Sequence, residues 1–187
     1  VKLNLPLIGR SLAAADTAAR EGFEDVVDGI DRIASIVEGL DAISPRHEGA
    51  VDQVDLTAAV EHAIALARNE IRHRAEIIAD LTQVPPIMID KGKLMQSLLN
   101  LLINAVRSID GEPDEHSITV RTCVADGRST VEIADSGAGM SPEAVGRVFD
   151  PFFTTRTDGF GAGLGLYYCR SVVTAAGGTI DVTSELG

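Results

Sequence analysis

Two asparagines four positions apart, Asn100 and Asn104, interrupt an otherwise strongly apolar run over residues 94–106. At that spacing their amides share one face of a helix, and Arg107 lies one turn further on. An amide oxygen is a reasonable ligand for a hard cation, and Mg²⁺ bridging substrate phosphates needs only one or two ligands from the protein. Arg107 would then meet a phosphate. In the alternative account both amides bond neighbouring backbone. The surrounding leucines, Leu98, Leu99, Leu101 and Leu102, make a buried amide without a partner expensive. A second group is Asp135, followed by Gly137 and Gly139, directly after a strand-like run. The glycines permit close approach of backbone to a ligand, and the carboxylate at the strand end suits an exocyclic amine such as that of adenine. A turn opened by an Asp is the commoner explanation of such a pattern. The third group, Gly161, Gly163, Leu164, Gly165 and Leu166, opens a helix, where backbone N–H groups favour phosphate oxygens. It is neither a Rossmann fingerprint nor a Walker A loop: no strand immediately precedes it and no Gly-Lys-Ser/Thr follows.

These groups need a scaffold, and the chain carries enough apolar sequence to build one. Of its 187 residues, 45% are apolar and 24% charged, an ordinary globular mixture. Sixteen Lys and Arg against 28 Asp and Glu leave a formal charge of −12. That balance argues against broad contact with nucleic acid or an anionic membrane surface, but not against a local cationic pocket. Cys123 and Cys169 have no metal-ligand spacing and read as reduced thiols of a cytoplasmic protein. No segment is long and apolar enough to span a bilayer, so any membrane anchor is expected outside these residues. Apart from Phe23, every aromatic residue lies between Phe149 and Tyr168, which points to a specialised local structure there.

Near the beginning, Phe23, Val26, Ile30, Ile33, Val37 and Leu40 follow one another at steps of three and four, a heptad seam. An upstream stripe of Ile8, Leu12, Ala15 and Ala19 pairs with it into a helical hairpin over residues 1–46. Such a seam invites a second copy of the chain, giving a four-helix dimer; docking on the chain's own second domain is the alternative. Ser44, Pro45 and Gly49 mark a linker. Beyond it the pattern predicts a helix over 56–71, strands over 75–81 and 87–89, and a long helix over 91–109 capped by Asp90. Strands over 117–125 and 130–134 are joined by a turn at Asp126-Gly127. A short helix opens at Ser141-Pro142-Glu143, another runs over 164–176, and residues 179–183 read as a final strand. Both element types without strict alternation predict an α+β fold, a mixed sheet covered by helices on one face.

Taken together, the three groups come in order, with Phe149, Phe152, Phe153, Thr154 and Thr155 between the last two. In this the sequence resembles the catalytic and ATP-binding domain of sensor histidine kinases, within the wider ATPase superfamily of gyrase and the heat-shock chaperones. Residues 100–107 resemble the N box, 135–139 the G1 box, 149–155 the F box and 161–166 the G2 box, so the resemblance covers about residues 50–187. It implies Mg²⁺ on Asn100 and Asn104, adenine on Asp135, and phosphates on Arg107, the lid threonines and the glycines of the G2 box. Residues 149–160 would then be a mobile lid over ATP. The implied activity is transfer of the γ-phosphoryl to a histidine, for relay to an aspartate of a response regulator, by a homodimer joined through the N-terminal helices.

The N-terminal part resembles the family's dimerisation and phosphotransfer hairpin more loosely. The acceptor pattern of His, an acid and a later Pro-Leu finds its frame at the Pro6-Leu7 pair, but Val1 stands where the His should be and Lys2 where the acid should be, so no phosphoacceptor is assigned. His47, His62, His73 and His116 lack that context and are expected to be structural or surface residues. Two rival functions follow. One is an ATP-binding pseudokinase or adaptor without its acceptor. The other is an ATP-hydrolysing switch, whose relatives place a Glu where Asn100 stands; an amide cannot act as the base that activates water.

Overall fold

The computed structural model describes residues 50–155 and 162–186. The N-terminal hairpin, its heptad seam, His47, Phe160 and Gly161 lie outside the described residues. Helix α1 (Leu56–Ile71) follows strand β1 (Asp52–Val54) and starts at Asp55. The Asp55 carboxylate accepts from the Ala58 N–H at 3.0 Å and from Gln83 Nε2 at 3.1 Å. Those two bonds hold its carboxyl below the usual carboxylate value. Strands β2 (Glu76–Leu81) and β3 (Ile87–Ile89) lead to helix α2 (Lys91–Arg107), where Asp90 accepts from the Lys93 N–H at 3.0 Å. Both caps satisfy donors that the first turn leaves open.

Strands β4 (Ser117–Ala125) and β5 (Arg128–Asp135) form a hairpin. Asp126 and Gly127 both take left-handed φ, 49° and 73°, as a two-residue turn matched to strand twist requires. The three-stranded sheet has the order β2-β4-β5, with β2 parallel and β5 antiparallel to β4. Its core-facing residues, among them Ile118 and Val120 with Ile77, Val131 and Ile133, join Val60, Ile71, Leu98 and Leu102 from the helices in one apolar cluster. The opposite face is polar: Arg121 reaches Asp80 at 3.1 Å and Glu132 at 3.5 Å, across all three strands. The mixed sheet and its asymmetric faces are the α+β arrangement the sequence predicts.

Two differences have physical causes. β1 is too short for a period-two pattern, and it exists through pairing with β3, Asp52 opposite Ile89 and Val54 opposite Ile87. Residues 179–183 form no strand, although Ile180 and Val182 are half-buried between exposed neighbours. Alternation alone does not supply a ladder partner. The segment's onward contacts go instead to the loop after β5, where the Met140 N–H donates to Ser184 Oγ at 2.9 Å.

Candidate functional site

Helix α2 sorts its residues by period. Leu94, Leu98, Leu102, Ala105 and Val106 are buried, while Asn104 and Arg107 are exposed and Asn100 is half-buried. The expectation of costly buried amides is therefore corrected: the asparagines stand on the face turned away from the core. Asn100 Oδ1 accepts from Gln96 Nε2 at 3.1 Å, one turn earlier on that face.

Asp135 ends β5 and is exposed. Its Oδ1 accepts from Ser108 Oγ at 2.6 Å and from the Gly137 N–H at 3.0 Å. The loop that follows crosses the end of α2. The Ala138 N–H donates to the Ser108 carbonyl at 3.0 Å, and a Cβ on Gly137 would fall 2.5 Å from that same oxygen. Gly139 has φ 68°, and a Cβ there would come within 2.8 Å of the Glu185 carbonyl carbon. Both glycines are thus demanded by backbone crossing backbone.

A short helix α3 (Pro142–Arg147), capped by Ser141, delivers the aromatic segment. Arg147 lies 4.5 Å from the Phe153 ring centroid, and Arg170 lies 5.6 Å from that of Phe149. Phe152 is 63% exposed and has φ 64°, a strained value for a bulky side chain. Gly163, at φ 67°, passes so close to this segment that a Cβ would lie 2.5 Å from the Phe152 carbonyl carbon. Thr154 and Thr155 are exposed. Helix α4 (Gly165–Ala175) follows buried Leu164 and half-buried Leu166 lies in its first turn; it starts without a side-chain cap, leaving its leading N–H groups available. A Cβ on Gly165 would meet Asn100 Nδ2 at 3.8 Å, which brings the start of α4 to the polar face of α2. Beneath them Cys169 Sγ donates to the Ser97 carbonyl at 3.5 Å, and burial pushes this thiol up to about 12.

So α2 touches both glycine motifs: Asn100 meets Gly165, and Ser108 meets Asp135 and Gly137. Among the described residues no group of three or more His, Cys, Asp and Glu side chains could hold a metal. Two amide oxygens without a carboxylate suit a Mg²⁺ that arrives on phosphates, not a free ion. His62 and His73 are exposed, and His116 Nδ1 lies 3.2 Å from Ser136 Oγ, in keeping with surface or structural roles. Ser108 escaped the sequence reading because a serine closing a helix carries no signal of a partner 27 positions away.

A family model described as histidine kinase-, DNA gyrase B-, and HSP90-like ATPase matches residues 89–187. The chain belongs to this family. Sensor histidine kinase ZraS of Klebsiella oxytoca is 37% identical over 185 residues, 97% of this chain and 37% of that protein. The signal transduction histidine-protein kinase AtoS of Escherichia coli is 34% identical over 177 residues, 92% of this chain and 28% of that protein. The chain therefore spans only 28–37% of the length of these two curated relatives. Among solved structures, full-length ShkA in complex with AMPPNP gives a TM-score of 0.72 at 28% identity, covering 91% of this chain and 35% of that one. The mycobacterial sensor histidine kinase MprB gives 0.59 at 28% identity, covering 68% of this chain and 81% of that one. The histidine kinase-type ATP-binding domain that the sequence resembles is thus the family found. No described helix is long and apolar enough to cross a membrane.

Proposed function

We propose that residues 50–187 are the ATP-binding catalytic part of a sensor histidine kinase, moving the γ-phosphoryl of ATP to a histidine for relay to a response-regulator aspartate. The observation that carries this reading is the meeting of the N, G1 and G2 boxes on one helix, α2, with the F box laid against Gly163. Adenine falls to Asp135, whose Oδ2 takes no hydrogen bond among the described residues and can accept from an exocyclic amine. The uncapped N–H groups at the start of α4, with Gly163 and Gly165, would receive phosphate oxygens, and Gly161, outside the described residues, is assigned to the same role by its place in the G2 box. Buried Leu164 contributes main chain there and Leu166 packing, while Thr154 and Thr155 bring hydroxyls from the lid and Phe149 anchors it.

The amide oxygens of Asn100 and Asn104 would hold Mg²⁺ together with the phosphates, where it neutralises their charge. In the transfer step an imidazole nitrogen bonds to the γ-phosphorus as the bond to the bridging oxygen breaks, and ADP leaves. The chain's own contribution is position and charge: Arg107 lies two turns from Asn100 on the same face, and the backbone amides are fixed in place. The proposed assembly is a cytoplasmic homodimer through the N-terminal helices, with a receiver domain as partner.

Calorimetry tests the nucleotide reading. ADP with Mg²⁺ should bind, and Asp135→Ala should weaken binding by about 1–3 kcal/mol. Here the loss comes from a missing acceptor for the amine and not from a buried orphan, since Asp135 is exposed. In the full-length protein, γ-labelled ATP should leave acid-labile, base-stable label on histidine, and Asn104→Ala should abolish it. Unchanged ADP affinity in Asp135→Ala would sink the adenine assignment.

A further inference from the structure

We infer that Ser108 is a positioning residue for base recognition: its hydroxyl pins one oxygen of Asp135 so that the other is presented to a 6-amino purine. The inference rests on the adenine role given to Asp135 above. Ser108 Oγ lies between two acceptors, the Ala105 carbonyl at 2.7 Å and Asp135 Oδ1 at 2.6 Å. A hydroxyl has one proton and can donate it to only one of them. The separation from Asp135 is that of a charge-assisted bond from a hydroxyl to a carboxylate, the stronger of the two choices. Were the proton turned to Ala105 instead, a hydroxyl lone pair would face the charged oxygen at the same short distance.

Both bonds to Asp135 fall on the same oxygen, because the Gly137 N–H also donates to Oδ1. Two donors on one oxygen fix the plane of the carboxylate and leave Oδ2 as the acceptor turned to the ligand. A carboxylate held that way accepts from a 6-amino group and meets the oxygen of a 6-oxo purine as a second acceptor, which it repels. Ser108 therefore bears on which base is taken as well as on how tightly. The arrangement also isolates the hydroxyl. The loop's main-chain ties to Ser108, the Ala138 bond to its carbonyl and the close passage of Gly137, survive removal of Oγ.

Binding of ADP and of purine riboside diphosphate, which lacks the 6-amine, to the unmodified chain, Ser108→Ala, Asp135→Ala and the double variant tests this by calorimetry. Ser108→Ala should weaken ADP about three- to tenfold, the range for one lost intramolecular bond, and leave the amine-free ligand unaffected. In the Asp135→Ala background the same change should add nothing, since the hydroxyl then has no carboxylate to hold. Equal weakening of both ligands, or an additive loss in the double variant, would show a merely structural serine and overturn the inference. If Asp135→Ala itself leaves ADP affinity unchanged, the adenine reading fails first and the inference with it. A loss in Asp135→Ala but none in Ser108→Ala overturns the inference alone.

Discussion

At the G1 loop, Gly137 passes over the end of α2, whose last turn is buried through Ala105 and Val106 and is followed by buried Ile109. At the F box, Gly163 passes just as closely over Phe152 and Phe153, but Phe152 is 63% exposed and strained, and Phe153 and Phe149 are held by arginine stacking on their rings. The same device, a glycine where backbone meets backbone, is therefore set against a fixed partner in one place and a yielding one in the other. The rings of Phe149 and Phe153 are half-buried, but the arginines over them keep solvent contact, so each stacking contributes only about 0.5–1 kcal/mol and the F box can be displaced at little cost. The G1 loop has no such slack. The difference suits a site whose base-recognising end is preformed while its phosphate end adjusts to the ligand.

The two glycines separate the rigid region from the yielding one most directly. Gly137→Ala should destabilise the chain by about 3 kcal/mol, the upper range for overpacking, because the Ser108 carbonyl cannot retreat; it should also abolish ADP binding. Gly163→Ala should cost less, about 1–2 kcal/mol, chiefly for a side chain at left-handed φ. Urea denaturation of the two variants side by side decides it, and equal losses would mean that the F box is as rigid as the G1 loop. Removing one ring partner, Arg147→Ala or Arg170→Ala, should cost about 0.5–1 kcal/mol in the same assay, with Arg147 the larger because its ring lies nearer. Phe152→Asn should cost nothing or stabilise by up to about 1 kcal/mol, since Asn tolerates the left-handed region and the lost side chain was exposed.

The smallest effect at neutral pH belongs to Cys169, buried where α4 meets α2. Its thiol is raised from 9.0 to about 12, so the unfolded chain loses this proton before the folded one does. The contribution to stability is complete below about pH 9 and declines as pH rises toward 12. Relative to Cys169→Ala, the unmodified chain should therefore lose stability faster above pH 9 in thermal melts; parallel curves would place the thiol outside this linkage.

The elements that position the site were legible where they rest on local period and caps. Helix Leu56–Ile71, the strand Ser117–Ala125, the turn at Asp126-Gly127 and the caps at Asp90 and Ser141 follow from residues within a turn or two of one another. Strand Asp52–Val54 was not, because three residues show no period and only Ile87–Ile89 across the chain makes them a strand. Residues 179–183 carried the alternation of a strand and lacked the ladder.

By itself the sequence determined the inventory: an amide pair on one helical face, an acid and glycines after a strand, a glycine-rich helix start, and aromatic residues between them. Those are matters of spacing along four or five residues, which backbone geometry converts directly into shared faces and turns. Only the tertiary structure decided that the amides face outward and that Asp135 is exposed and held by Ser108 from 27 positions away. It likewise decided which glycine lies on a rigid partner. Burial and long-range pairing depend on which distant segment occupies the neighbouring space, and no local pattern encodes that neighbour.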